Sequence, residues 1–147
     1  MLTAIIYWSG TGNTEAMAKA IEAGMQAKNA QTKLLTVSEA DAGIIDQYEA
    51  FAFGCPSMGA EVLEESEFDP FFTAIESRLS GKAVSLFGSY GWGDGEWMRD
   101  WQKRVNEVGA VLFDEGLIQQ DAPDEAVCKE FGSKFAEFCN SYAKQGE

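Results

Sequence analysis

Ser9-Gly10-Thr11-Gly12-Asn13-Thr14 separates an apolar run, Leu2-Thr3-Ala4-Ile5-Ile6-Tyr7-Trp8, from a segment in which Met17, Ile21 and Met25 recur at helical spacing. The run reads as a buried β-strand, and the segment from Glu15 to Met25 as a helix. A strand, a tight loop and a helix start together make an anion site, because the first backbone N–H groups of a helix have no partner within it. Gly10 and Gly12 let the backbone close in on a ligand. Ser9, Thr11, Asn13 and Thr14 add side-chain donors around the same concavity. Capping of an ordinary polar turn accounts for two such residues. Six in a row suit a terminal phosphate.

What the loop lacks narrows its chemistry. A nucleotide-hydrolysing P-loop ends in Gly-Lys-Ser/Thr, and no Lys or Arg precedes Lys19. The dinucleotide pattern G-x-G-x-x-G fits Gly10 and Gly12 but meets Glu15 at its last position. A receiver domain would need clustered Asp residues here, and there are none.

Length and composition set the class. The 147 residues are 46% hydrophobic, which suits one domain, 1–147, with a substantial core. No apolar stretch approaches the roughly 18 residues of a membrane span, and no basic segment suited to export is seen, so a cytoplasmic protein away from membranes is expected. Three cysteines without metal-type spacing fit a reducing compartment. Histidine is absent, which removes imidazole acid–base chemistry and most zinc or haem ligation. A formal charge of −13 argues against nucleic acid and for partners with basic docking surfaces.

Strand and helix signals alternate along the rest of the chain. Residues 32–37 read as strand two, and Ser38 with Asp41 resembles a capping box opening a short helix through Ile44, Ile45 and Tyr48. Residues 50–54 form strand three, and Asp69-Pro70 marks a helix with Pro at its first position. Strand four spans 83–88. The next helix carries Trp97, Trp101, Val105 and Val108. Strand five covers 110–113, resuming at 117–118, and Pro123-Asp124 opens a last helix with Val127, Phe131, Phe135, Phe138 and Tyr142 on one stripe. These stripes are assigned to packing. Five strands and five helices in alternation predict an α/β, doubly wound, five-stranded parallel sheet in the order 2-1-3-4-5, with helices on both faces. In such sheets ligands sit beyond the strands' carboxyl ends where strand order reverses, a placement taken from that general rule.

Three loops leave those ends: 9–14, 55–68 and 89–95. The second opens Cys55-Pro56-Ser57-Met58-Gly59-Ala60-Glu61. A phosphatase-type Cys-x5-Arg loop is rejected, since Glu61 stands where the arginine belongs. Met58 offers a polarizable apolar face, Gly59 permits a φ > 0 turn, and Glu61 can accept from a ligand N–H or be a solvated acid. The third loop places Trp92 between Gly91 and Gly93, close to Ser89 and Tyr90, where it suits an exposed plate for a flat ring. No Lys or Arg lies between Lys33 and Arg78, or between Lys82 and Arg99. That excludes an arginine-clamped phosphoryl-transfer centre. A phosphate held for anchorage remains.

Residues 8–15, Met58-Gly59-Ala60-Glu61 and the run from Gly88 to Trp97 together resemble the three FMN loops of the flavodoxins, a family whose own site is a standard instance of the switch-point rule. The similarity covers the whole chain and is greatest to the short-chain type from clostridia and other anaerobes. No inserted segment interrupts strand five. The resemblance implies a monomeric carrier, not an enzyme, that holds FMN non-covalently and shuttles single electrons at low potential between redox proteins in place of ferredoxin. It implies Ser9, Gly10, Thr11, Gly12, Asn13 and Thr14 at the phosphate, with Met58 and Trp92 flanking the ring. The backbone of Gly59 would meet flavin N5, and Glu61 would meet N3–H. Ser89, Tyr90, Gly91, Trp92 and Gly93 would meet the ribityl chain and pyrimidine edge. Pro56 and Ala60 complete the second loop, though family members often carry a polar side chain where Ala60 stands, and Gln120 falls near the ribityl hydroxyls. A flavin enzyme such as an FMN quinone reductase, and an activator dedicated to one radical enzyme, are the alternatives on the same fold.

Overall fold

Strands β1 (Leu2–Tyr7) and β3 (Ala50–Gly54) run side by side because alternate residues face opposite ways and both faces of each must be covered. The computed structural model describes residues 2–145. Around that pair the sheet extends to β2 (Gln31–Thr36) on one side and β4 (Ala83–Tyr90) on the other, with β5 (Val111–Leu112) and β6 (Leu117–Gln120) both pairing β4. The order β2-β1-β3-β4-β5 and the parallel registers agree with the expected doubly wound sheet.

Helices cover both faces. Ala4, Ile6, Phe51, Phe53, Val84 and Leu86 point to one side, where α2 (Phe68–Ile75) and α3 (Glu96–Glu107) bring Phe68, Phe72, Trp97 and Trp101. Phe53 meets Phe72 edge-on at 5.3 Å, and Trp101 meets Phe68 likewise at 5.4 Å. The opposite face is built from smaller residues, Ala50, Ala52 and Ala83 beside Ile5 and Phe87. It receives α1 (Asn13–Gln26) and α4 (Glu125–Gln145) through Met17, Ile21, Met25 and Phe135.

Several expectations are corrected. Among the described residues there are four α-helices, not five. The segment from Ala42 to Asp46 is a short 3-10 turn that stops before Tyr48. Asp41 caps that turn by accepting from the Gly43 N–H, while the Ser38 hydroxyl pairs with that of Thr36, so there is no capping box. Helix α2 begins at Phe68, two residues before Pro70. Strand β4 continues through Ser89 and Tyr90 because β6 pairs with it there, Ser89 against Gln119 and Tyr90 against Gln120. The third loop therefore starts at Gly91.

A parallel sheet sends β1, β3 and β4 out at the same end. Their ladders run on past the strands: the Trp8 N–H donates to the Gly54 carbonyl at 3.0 Å, and Ser57 N–H to the Ser89 carbonyl at 3.0 Å. The three loops are thus fixed to one another before any side chain is considered.

Candidate functional site

Gly12 holds the head of α1 open. Its φ of 97° is left-handed, and no side chain caps the helix, so the first-turn N–H groups face the loop. Ser9 Oγ accepts from the Gly12 N–H at 3.1 Å, which leaves the Ser9 hydroxyl hydrogen available. The acid of the first turn, Glu15, is held by Tyr7 and Lys19 at 3.0 and 3.3 Å. Those bonds, Tyr7 first, keep its carboxyl below the usual range. The loop therefore presents donors without a competing carboxylate of its own.

A cleft of about 240 Å³ joins the three loops. Ser9, Gly10, Thr11, Asn13 and Thr14 line it, as do Pro56, Met58, Ser89, Tyr90 and Gly91. The structure adds Trp8, Ser57 and Asp121, which the sequence reading missed. Trp8 was legible in one respect: it directly precedes Ser9. In the structure a Cβ on Gly10 would sit only 2.9 Å from its ring. Asp121 arrives only through β6 pairing, with its N–H on the Tyr90 carbonyl at 2.8 Å.

Gly12, Gly59, Ala60, Glu61, Trp92, Gly93 and Gln120 do not line this cleft. Gln120 instead donates to the Gly91 carbonyl at 3.3 Å, steadying the third loop. Trp92 is 64% exposed and Met58 36%, so each leaves an apolar surface uncovered beside the cleft. Met58 and Val62 form a two-way backbone bridge at 2.8 and 2.9 Å, closing a tight turn over Gly59-Ala60-Glu61. Glu61 is buried and its carboxylate accepts from the Glu96 N–H at 2.7 Å and the Asp94 N–H at 3.3 Å. It thereby ties the second loop to the head of α3. A carboxylate has about four acceptor positions, so capacity for a ligand N–H remains.

Two features of the surrounding charge were not foreseen. Asp94 pairs with Arg99 at 2.9 Å, and Asp69 with Arg104 at 2.8 Å. The acids around the second and third loops are therefore partly balanced from α3, although the loops themselves carry no Lys or Arg. Among the described residues the cleft wall carries no Lys or Arg. Burial pushes the Cys55 thiol well up, which keeps it protonated and unsuited to nucleophilic work.

Glu64 secures the far end of the second loop. Burial pushes its carboxyl up, but the N–H groups of Phe68, Glu67 and Ser66, at 2.9, 2.7 and 2.9 Å, outweigh that and hold it below the usual glutamate range. A depressed folded-state pKa stabilises the fold fully above the unfolded value and loses that contribution as pH falls through the folded one. Glu64→Ala is expected to cost about 0.5–2 kcal/mol at pH 7. In urea titrations at falling pH, the gap to wild type should close in acid. A gap independent of pH would show that Glu64 acts by packing alone.

The Flavodoxin family model matches residues 5–132. The chain belongs to the flavodoxin family. It is 49% identical to a flavodoxin of Clostridium beijerinckii over 134 residues, covering 90% of this chain and 97% of that one. A Megasphaera elsdenii flavodoxin is 42% identical over 132 residues, again 90% of this chain and 96% of the relative. The solution structure of two-electron reduced Megasphaera elsdenii flavodoxin superposes with a TM-score of 0.85, covering 92% of this chain and 98% of that one at 43% identity. The short-chain resemblance and the flavodoxin-like fold are both borne out by these relatives. Flavodoxins are FMN-binding electron carriers that act with redox partners and are not catalysts in their own right. The residues of this flavodoxin fit that cofactor: an uncapped helix head with neutral hydroxyls suits a phosphate, and uncovered Met58 and Trp92 suit a flat ring. Among the described residues, no helix is long and apolar enough to cross a membrane.

Proposed function

We propose that this flavodoxin works as one cytoplasmic, monomeric domain over residues 1–147, carrying single electrons at low potential in place of ferredoxin. One observation carries the reading: a cation-free cleft rich in neutral donors, with Asp121 at its wall, opens beside two uncovered apolar plates. Ser9 through Thr14 would hold the FMN phosphate. Met58 and Trp92 would flank the ring, the Gly59 backbone would meet N5, and Glu61 would meet N3–H. Ser89 to Gly93, with Pro56, Ala60 and Gln120 in support, would shape the ribityl and pyrimidine end. Bound FMN supplies the redox chemistry; the chain supplies anchorage, shielding and charge.

The charge favours a low potential. A carboxylate about 10 Å from an anionic reduced ring costs roughly 0.4–1.7 kcal/mol before salt screening. Among the described residues Glu65 and Glu67 have no basic partner within salt-bridge distance, and the Glu61 and Glu64 carboxylates accept from backbone N–H groups and not from a cation. The same acidity, −13 overall, supports redox partners with basic docking surfaces.

Trp92 gives the direct test. Titrating FMN into the apoprotein should quench tryptophan fluorescence at one equivalent, and Trp92→Phe should remove a large share of that quench. Trp92→Ala is expected to lose roughly 0.5–1.5 kcal/mol of affinity beyond the area it no longer buries. An unchanged quenched fraction in Trp92→Phe would take Trp92 out of the site.

A further inference from the structure

Thr14, at the head of α1, and Ser89, near the end of β4, lie 75 residues apart in sequence and touch. Their hydroxyl oxygens are 2.8 Å apart, and the Ser89 N–H also donates to Thr14 Oγ1 at 3.3 Å. Both side chains line the cleft, with exposures of only 1% and 5%. A hydroxyl has one hydrogen and two lone pairs. The Ser89 N–H fills one lone pair of Thr14, so the direction of the hydroxyl–hydroxyl bond decides what Thr14 shows a ligand. If Thr14 donates to Ser89, its hydrogen is used inside the protein and an anion meets no donor from Thr14. If Ser89 donates, both lone pairs of Thr14 are filled by one residue. The Thr14 hydrogen is then left for the cleft.

The geometry points to Ser89 as a positioning residue for the phosphate: its N–H and O–H together fill the acceptor positions of Thr14 and make that hydroxyl a donor to the anion. This rests on the FMN-phosphate assignment proposed above. With no cation in the cleft wall, selectivity for a phosphate must come from how neutral dipoles are aimed. A phosphate accepts and does not donate, so it selects the arrangement in which Ser89 donates inward and Thr14 outward. The bond also links β4, which leads into Gly91-Trp92-Gly93, with the loop that anchors the phosphate.

The test titrates FMN and riboflavin into apoprotein of wild type, Ser89→Ala, Ser89→Thr, Thr14→Val and the Ser89→Ala/Thr14→Val pair, following flavin fluorescence. Ser89→Ala should bind FMN about three- to tenfold more weakly with a clearly smaller loss for riboflavin, and Ser89→Thr should keep wild-type FMN affinity. In the Thr14→Val background, Ser89→Ala should cause no further loss of FMN. Equal losses for both flavins, or a full FMN loss that persists beside Thr14→Val, would overturn the role. If Ser89→Ala does not fold, Ser89→Cys, with its weaker S–H donor, carries the same expectations. Wild type that binds FMN and riboflavin equally would instead overturn the phosphate assignment itself.

Discussion

Gly59→Ala should lower the potential of the first one-electron reduction by roughly 40–90 mV and leave the affinity of oxidised FMN nearly unchanged. One-electron reduction with proton uptake turns flavin N5 from an acceptor into a donor. In the proposed placement the Gly59 carbonyl would accept there only if its peptide can present that oxygen, which needs φ > 0 in a tight turn. In the structure Gly59 has φ 51°, and nothing lies within 4 Å of where its Cβ would stand. Alanine therefore meets no neighbour, and its cost is backbone strain of about 1–2 kcal/mol. Where oxidised FMN lets the turn relax from this positive φ, the strain falls on the reduced state alone and converts to the stated shift for one electron. A redox titration decides the matter. An unaltered potential with weaker binding of oxidised FMN would mean that the turn holds this backbone in both states and does not respond to reduction.

Thr11→Ala and Thr14→Ala should each weaken FMN by about ten- to a hundredfold, because a hydrogen bond to a charged group contributes roughly 1.5–3 kcal/mol. Riboflavin, which lacks the phosphate, should be nearly indifferent to both changes. Of the two, Thr14→Ala should be the more damaging, since it also leaves the buried Ser89 hydroxyl and N–H without their partner. Isothermal titration of both flavins separates the effects. Equal losses for FMN and riboflavin would show that the two threonines shape the loop and do not hold the phosphate.

The donor-rich turn at 9–14 was legible because everything that makes it lies within six consecutive residues, and the sheet order because apolar runs and helical stripes alternate. What escaped reading depends on contacts far apart in sequence. Ser89 and Tyr90 sit in a glycine-rich stretch that looks like loop, and only pairing with Gln119 and Gln120 keeps them in strand. Arg99 and Arg104 look remote from the acidic second loop, yet the packing of α3 beside α2 brings Arg104 onto Asp69. Glu61 reads as a free acid because its N–H donors come from residues 94 and 96. Trp92 was legible from its flanking glycines, which leave little reason to bury it, and it is exposed.

The central claim is that the chain holds FMN as a one-electron carrier. The measurement that tests it most directly is the visible spectrum of the FMN-loaded protein during stepwise anaerobic reduction. The account predicts one FMN per chain and two resolved one-electron steps. A long-wavelength band should rise to a maximum near one electron per flavin and then vanish, with no bleaching by NADPH alone. Reduction in a single two-electron step, or direct bleaching by NADPH, would contradict it and point to a flavin enzyme on the same fold.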